Sequence, residues 1–444
     1  MATKQAHQKS PERLFAWMLM DTQHPRLIGQ IIRQTNGDVG LQYAPSWLST
    51  GFALSDDMPL EAQVFTPLHR NGRLPGAPGA LDDARPDRWG EKVIRYLYKP
   101  GASVYDNLYF AGDERFGAIG VCPSDAAYTP FLQRTLPRLA DARDLNAAVQ
   151  IIESGEGELQ AQQRALMGAG GSLGGAKPKA AIAIDGEEWV LKFFNGEPFD
   201  LPLAEHATMT LAHKAGIRVA HTMPVQLDAA HALAVKRFDR AGGNKRVHSI
   251  SACTLLRSEV PEGMDPEFGY PQLARALRRA ADPRTLDTQL RELFRRMAFN
   301  ILVANTDDHE KNHALLCHIS GRTMKLELSP AYDVVPTGSG ALEHQFMVSE
   351  TSREPSLAEA MTGAESFNLS PLDAAKEVAN TISVVNTWQA HFRAVGVTES
   401  DIVEVAALVD APDLLEQRAS FTVDAYAGSG KPRRKPGGGA KAFR

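Results

Sequence analysis

Residues Asn305-Thr306-Asp307-Asp308-His309-Glu310-Lys311-Asn312 form an unbroken polar run with apolar sequence on both sides. Upstream, Leu290, Leu293, Phe294, Met297, Ala298 and Ile301 recur on one face of a predicted helix over 285–304. Downstream, the segments 313–319 and 322–328 flank Ser320-Gly321, which predicts a hairpin. A chain that buries both flanks must hold the polar run at a rim or in a cleft, because so many polar side chains cannot lose water without partners.

The rest of the chain reads as strands first and helices later. Asn36-Gly37 between 31–34 and 39–43 marks a hairpin within a strand-rich stretch over 13–48. That stretch includes the short apolar segment Leu14–Met20, read as a strand and not as a signal peptide. Residues 70–90 carry Gly, Pro and Asp and are expected to be loop; 89–98 is expected to be helix. The segment 110–122 reads as a Gly-punctuated turn entering a strand, and 141–154 as a linker or joining helix. A Gly-rich loop over 168–175 precedes strands at 179–184 and 187–194, joined at Asp185-Gly186. A helix over 203–215 and strands at 219–227 and 233–238 follow. Helices are expected at 271–281 and across 355–425. The fold class is α+β, with a strand-rich N-terminal lobe and a mainly helical C-terminal lobe. The polar motifs fall where the halves meet, and a cleft between lobes is where ligands usually bind. A chain of 444 residues is long enough for several cores. We divide it at 1–125, 126–240, 241–425 and a basic flexible tail over 426–444.

Composition excludes some classes. No run reaches the length of a membrane helix, and Cys122, Cys253 and Cys317 are too few and too far apart for a disulfide scaffold or a Cys-rich zinc site. That cysteine usage fits a cytoplasmic protein. The net charge of −5 argues against a nucleic-acid surface over the whole chain. The tail differs: residues 431–444 are basic and Gly-rich, which suits either a solvated tail or contact with a polyanion such as DNA.

Three segments carry chemistry in chain order. Gly174, Gly175, Ala176, Lys177, Pro178 and Lys179 have the make-up of a phosphate cradle, since glycines let backbone N–H groups approach an anion and the lysines add charge. The loop lacks the Gly-Lys-[Ser/Thr] close of a Walker A motif. Lys192 follows on the next hairpin strand, flanked by apolar residues. In kinases a strand lysine at this place contacts nucleotide phosphates and a helix glutamate, here Glu205. The alternatives are a solvated strand lysine and a glutamate that favours its helix N-terminus. Asp307 and Asn312 have the D-x-x-x-x-N spacing of a kinase catalytic loop: a carboxylate to take the hydroxyl proton and an amide oxygen for Mg²⁺. Asp333, after the hairpin, stands where the main Mg²⁺ carboxylate belongs, and His309 and Lys311 read as phosphate or substrate contacts. Asp308 is the alternative base. His309-Glu310-Lys311-Asn312-His313 also spells H-E-x-x-H, a zinc-hydrolase reading.

Taken together these residues resemble the HipA family of serine/threonine kinase toxins. The resemblance lies in 172–179, in Val235-Lys236-Arg237-Phe238-Asp239-Arg240, in 305–312 and in 328–334, and the N-terminal part is also similar, at 40–48 and 112–119. It implies a two-lobed protein-kinase-like fold and dependence on ATP and Mg²⁺. By the same resemblance Asp307 is the base, Asn312 and Asp333 are metal ligands, and Lys236, Arg237 and Phe238 form the hinge around adenine. It further implies that Ser172 is an inactivating autophosphorylation site; as a bare residue, Ser172 could simply cap the turn. Lys236 departs from the family, whose hinge is often acidic there. The partners implied are a small helix-turn-helix antitoxin that binds operator DNA and a protein substrate, typically an aminoacyl-tRNA synthetase. A DNA-associated protein with a non-catalytic nucleotide site is the competing reading.

Overall fold

A computed structural model describes residues 8–68, 74–101, 103–131, 135–171, 173–228, 230–260, 267–337 and 343–427. The chain begins with β1 (Leu14–Met18), β2 (Arg26–Arg33) and β3 (Val39–Tyr43). Gly37 turns the β2–β3 hairpin with a φ of 88°, a conformation that glycine adopts without strain. Next come α1 (Pro45–Thr50), β4 (Val64–Phe65), α2 (Gly79–Asp83), α3 (Arg88–Tyr98), α4 (Val104–Phe110) and β5 (Ile119–Cys122). The strands form one antiparallel sheet in the order β4-β3-β2-β1-β5. The loop expected over 70–90 is interrupted by α2, whose Ala80 and Leu81 are buried in the core. Burial of these two side chains outweighs the turn-forming composition around them.

The second unit comprises α5 (Ala142–Ser154), α6 (Ala161–Gly170), β6 (Lys179–Ile184), β7 (Glu187–Phe193), α7 (Leu201–Lys214), β8 (Thr222–Gln226) and β9 (His231–Lys236). Its antiparallel sheet runs β6-β7-β9-β8. Side chains alternate across it with the two-residue period of a strand. Trp189, Leu191, Phe193, Ala232 and Ala234 face α5 and α3, where Leu145, Val149 and Ile152 meet Trp89, Val93 and Leu97. Leu233 and Val235 belong to the core that contains α7. The helix at 142–154 is therefore part of this unit's core and not a bare linker. So is α3, which the chain delivers from the first sheet. The Gly-rich stretch is also shorter than expected. α6 runs to Gly170, where any side chain would collide with the Ala181 carbonyl, so this glycine answers a packing need.

The remainder is β10 (Ser249–Ser251), α8 (Ala252–Arg257), α9 (Tyr270–Ala280), α10 (Leu286–Leu302), β11 (Ala314–Ser320), β12 (Thr323–Leu328), α11 (Leu357–Thr362), α12 (Pro371–Val385), α13 (Trp388–Val395), α14 (Glu399–Val409) and α15 (Pro412–Ser420). The small sheet runs β10-β11-β12. All six apolar residues of the stripe predicted on α10 are fully buried, and so are Phe299 and Leu302 beyond it. One continuous apolar core joins these helices to the inner face of the first sheet. The architecture is that of a two-lobed kinase-like fold with the first sheet fastened to both lobes. Among the described residues no helix is long and apolar enough to cross a membrane.

His248, just before β10, is one of the fasteners. Its Nε2 donates to the Leu54 carbonyl at 2.9 Å, and Nδ1 has no partner among the described residues. Burial pushes its pKa down from 6.5 to about 4. The unfolded chain therefore takes up a proton that the folded chain refuses, so stability is full above pH 6.5 and falls as the pH drops toward 4. The loss amounts to at most about 3 kcal/mol. Thermal melts across this window should show the loss, and His248→Gln should flatten it.

Candidate active site

Lys192 sits on the α7-facing side of β7 and is buried. Its ammonium donates to Glu205 Oε1 at 2.5 Å and to Asp333 Oδ1 at 2.9 Å. This rules out the solvated-strand alternative. Glu205 lies beyond the first turn of α7 and is buried against the lysine, so it does not act chiefly on the helix N-terminus. Burial opposes the charge of Lys192, yet Asp333 and Glu205 together hold its pKa above the ordinary lysine value. Burial likewise opposes the carboxylate of Asp333, but Lys192, Lys177 and Lys179 hold it far below the usual range. Asp333 has a φ of 59°, a left-handed conformation rarely adopted outside glycine and found at functional positions. Its segment is held by Ala331, which donates to the Arg218 carbonyl and accepts from Ala220 N–H, and by the Tyr332 hydroxyl, which donates to the Lys311 carbonyl at 2.7 Å.

The cradle lies beside this cluster. Lys179 pairs with Lys192 across the β6–β7 ladder, a placement of like charges that costs energy unless an anion sits between or near them. Burial, with help from Lys192 and Lys177, lowers the Lys179 pKa despite the pull of Asp333. Gly175 has a φ of 98°, and a side chain there would strike the Lys179 ammonium. Pro178 accepts from Phe193 N–H at 3.1 Å, which ties the end of the loop to β7. Gly174 and Ala176 are exposed and Lys177 is half-buried. Ser172 lies outside the described residues.

The first unit also reaches this loop through α3, a contact absent from the sequence expectations. Trp89 N–H donates to the Gly175 carbonyl at 3.1 Å, and the Trp89 indole donates to the Lys179 carbonyl at 2.7 Å. Gly175 N–H donates to Asp87 Oδ2 at 3.3 Å, and Lys311 donates to both Asp87 oxygens at 3.0 and 3.2 Å. Burial works against the Asp87 anion, but Lys311, Arg85 and the Gly175 N–H hold its pKa below the ordinary value.

The polar run after α10 divides its two aspartates sharply. Asp308 is buried and accepts from the Tyr270 hydroxyl at 2.5 Å, with His313 Nε2 at 3.1 Å. Asn300 donates to that same hydroxyl. Asp308 is thereby committed to holding the loop. Asp307 is half-exposed; its N–H donates to Thr337 Oγ1, and Gln345 donates to its Oδ1 at 2.7 Å. Asn312 donates to the Asp307 carbonyl at 3.2 Å through its amide nitrogen, which leaves the amide oxygen as its acceptor. His309 Nδ1 accepts from Lys311 N–H at 3.1 Å. The H-E-x-x-H reading fails on geometry: residues 310–312 form a single 3-10 turn, and His309 and His313 flank it in extended conformation. The two imidazoles therefore do not share a helix face, and His313 is taken up by Asp308. Among the described residues no group of three His, Cys, Asp or Glu side chains stands ready for a metal ion.

The expected hinge has a different make-up from its forecast. Lys236 is half-buried and pairs with Glu187 at 2.6 Å, and Phe238 packs on Tyr332. The Arg237 guanidinium is buried and bound to Asp239 at 2.8 and 2.9 Å and to Glu114 at 3.0 Å, so its side chain is not available to line a nucleotide pocket. Asp239 also accepts from Gly117 N–H, and Asp113 accepts from Arg246. The segments 112–119 and 235–240 are thus each other's partners, which fasten the first sheet to the segment after β9. Removing one member of such a buried pair strands the other. Asp239→Ala should cost about 3–5 kcal/mol in denaturant unfolding, whereas Lys236→Ala should stay within about 0.5 kcal/mol of wild type.

Comparison with known proteins agrees with this layout. Residues 22–122 match the HipA N-terminal domain, and 171–389 match the HipA-like C-terminal domain. The serine/threonine-protein kinase toxin HipA of Shewanella oneidensis is 24% identical over 337 residues, which is 70% of this chain and 72% of that protein. The putative kinase Y4dM of Sinorhizobium fredii is 32% identical over 164 residues, 34% of this chain and 38% of that protein. The solved complex of Shewanella oneidensis MR-1 HipA, HipB and operator DNA contains a chain that superposes with a TM-score of 0.65 at 18% identity, covering 93% of this chain and 99% of that one. The two HipA domains are matched in order and together take in most of the chain, which therefore belongs to the HipA family.

Proposed function

We propose that the protein transfers the γ-phosphoryl group of ATP to a serine or threonine hydroxyl of another protein. The observation that carries this is the buried Lys192, held between Glu205 and Asp333 beside a Gly-rich loop with two further lysines. Three ammonium groups facing two carboxylates leave the cluster with a net positive charge, suited to a polyphosphate. The donor set also fits Mg²⁺, a hard cation that takes carboxylate and amide oxygens: Asp333 and Asn312 would hold it. When bound, the ion neutralises charge on the phosphates.

The chain's own groups divide the remaining work. Lys192, Lys177 and Lys179 hold phosphate oxygens, as does the Gly175 backbone, and His309 and Lys311 take the part of phosphate or substrate contacts. Asp307 receives the hydroxyl proton as the new oxygen–phosphorus bond forms and ADP leaves. Gln345, on Oδ1, orients the Asp307 carboxylate. Asp307→Asn should cut transfer from labelled ATP by roughly 10²–10⁴-fold and leave nucleotide binding in place. Asp333→Asn should remove the magnesium dependence of nucleotide binding. Transfer by Asp307→Asn at the wild-type rate would refute the proposal.

The family's toxin role supports a finer version. The protein acts in the cytoplasm, arrests growth by phosphorylating a translation component such as an aminoacyl-tRNA synthetase, and is neutralised by a helix-turn-helix antitoxin that also carries it to operator DNA. Ser172, at the loop entrance, becomes phosphorylated and switches the enzyme off. Mass spectrometry after incubation with ATP should find phosphate on Ser172, and Ser172→Ala should stay active for longer. The basic tail lies outside the described residues and has no assigned part.

A further inference from the structure

The side chain at the start of α3 does something unusual for its position. Asp87 is the N-cap residue of α3, with the extended backbone of a cap, yet its carboxylate accepts nothing from its own helix. An aspartate there normally satisfies an N–H of the first turn. This one instead takes the Gly175 N–H of the phosphate loop and, with both oxygens, the ammonium of Lys311 in the catalytic loop. The first-turn N–H of Trp89 meanwhile goes to the Gly175 carbonyl. The donors gathered by this carboxylate are the kind that a phosphate group would use.

We infer that Asp87 is an internal stand-in for phosphate, and that nucleotide binding must displace it and so loosens the first unit's hold on the loop. The inference rests on the kinase reading and adds regulation to it. Two anions cannot share the same N–H and ammonium without repulsion, so carboxylate and phosphate compete. The clamp is able to open: the side chains of Asp87 and Lys311 are 31% and 38% exposed. Opening would free the start of α3, whose Trp89, Val93 and Leu97 are packed on the nucleotide-lobe sheet. Coupling of this kind is reciprocal. Whatever pulls α3 from the loop strengthens nucleotide binding, and nucleotide weakens the attachment of α3. A partner gripping the first unit could thus change phosphoryl transfer without touching the catalytic loop.

The test uses the full chain and Mg·ATP. Calorimetric titration should show Asp87→Asn binding nucleotide about two- to fivefold more tightly than wild type, the scale of a partly exposed ion pair. Loss of a negative charge alone could produce that gain, so hydrogen exchange supplies the second readout. In wild type, Mg·ATP should speed amide exchange at the start of α3. In Asp87→Asn that region should exchange fast already and change little on nucleotide addition. Equal or weaker binding by a folded Asp87→Asn overturns the inference, as does slower exchange of α3 in nucleotide-bound wild type. If the variant does not fold, exchange in wild type decides alone. Wild type that binds no Mg·ATP overturns the kinase reading itself, whereas wild-type binding without these changes overturns only the clamp.

Discussion

The buried ammonium of Lys192 organises the site. An isolated charge at that depth would be very costly, so its two carboxylates must be placed accurately. Glu205 requires α7 to lie against the sheet, and Asp333 requires the segment after β12 to return to β7. Meeting both conditions brings the two lobes together at one point. The left-handed turn at Asp333, the bridge at Ala331 and the Tyr332 bond to Lys311 follow from that closure. The Tyr332 bond also ties the polar run after α10 to this junction.

The first sheet acts as a brace around this junction. The ion network of Arg237, Asp239 and Glu114 fixes it to the segment after β9, and the Leu54 carbonyl between α1 and β4 is held by His248 just before β10. α3 extends the brace into the nucleotide lobe, where Asp87 and Trp89 hold both ends of the loop. These fasteners differ in character. The ion network and His248 are buried, whereas the Asp87–Lys311 contact is partly exposed and shares its donors with the expected ligand. Regulation is more easily built on the second kind, because little burial has to be undone to open it.

The two aspartates after α10 separate by burial in the same way. Asp307 and Asp308 are adjacent and chemically alike. Asp308 is enclosed by Tyr270 and His313 and shapes the loop, and Asp307 keeps a half-exposed carboxylate oriented by Gln345. Burial commits Asp308 to structure and leaves Asp307 free for the role proposed above.

Local pattern alone determined most of the elements. The α10 stripe, the hairpins at Gly37, Gly186 and Gly321 and the order of Gly loop, lysine, glutamate and catalytic loop were legible because periodicity and turn chemistry act over a few residues. Burial overrode composition at α2 and at the end of α6, where core contacts made helix out of Gly- and Pro-rich sequence. Only the tertiary structure decided how charges pair. Arg237 was expected at the nucleotide and lies in an ion network; Asp87 falls in a stretch expected to be loop, and its carboxylate reaches two other loops. Glu114 is 123 residues from Arg237, and Gly175 and Lys311 are 88 and 224 residues from Asp87, distances that no local rule carries. The residue types that could do the chemistry were set by the sequence, whereas the folded packing set which charges are free to do it.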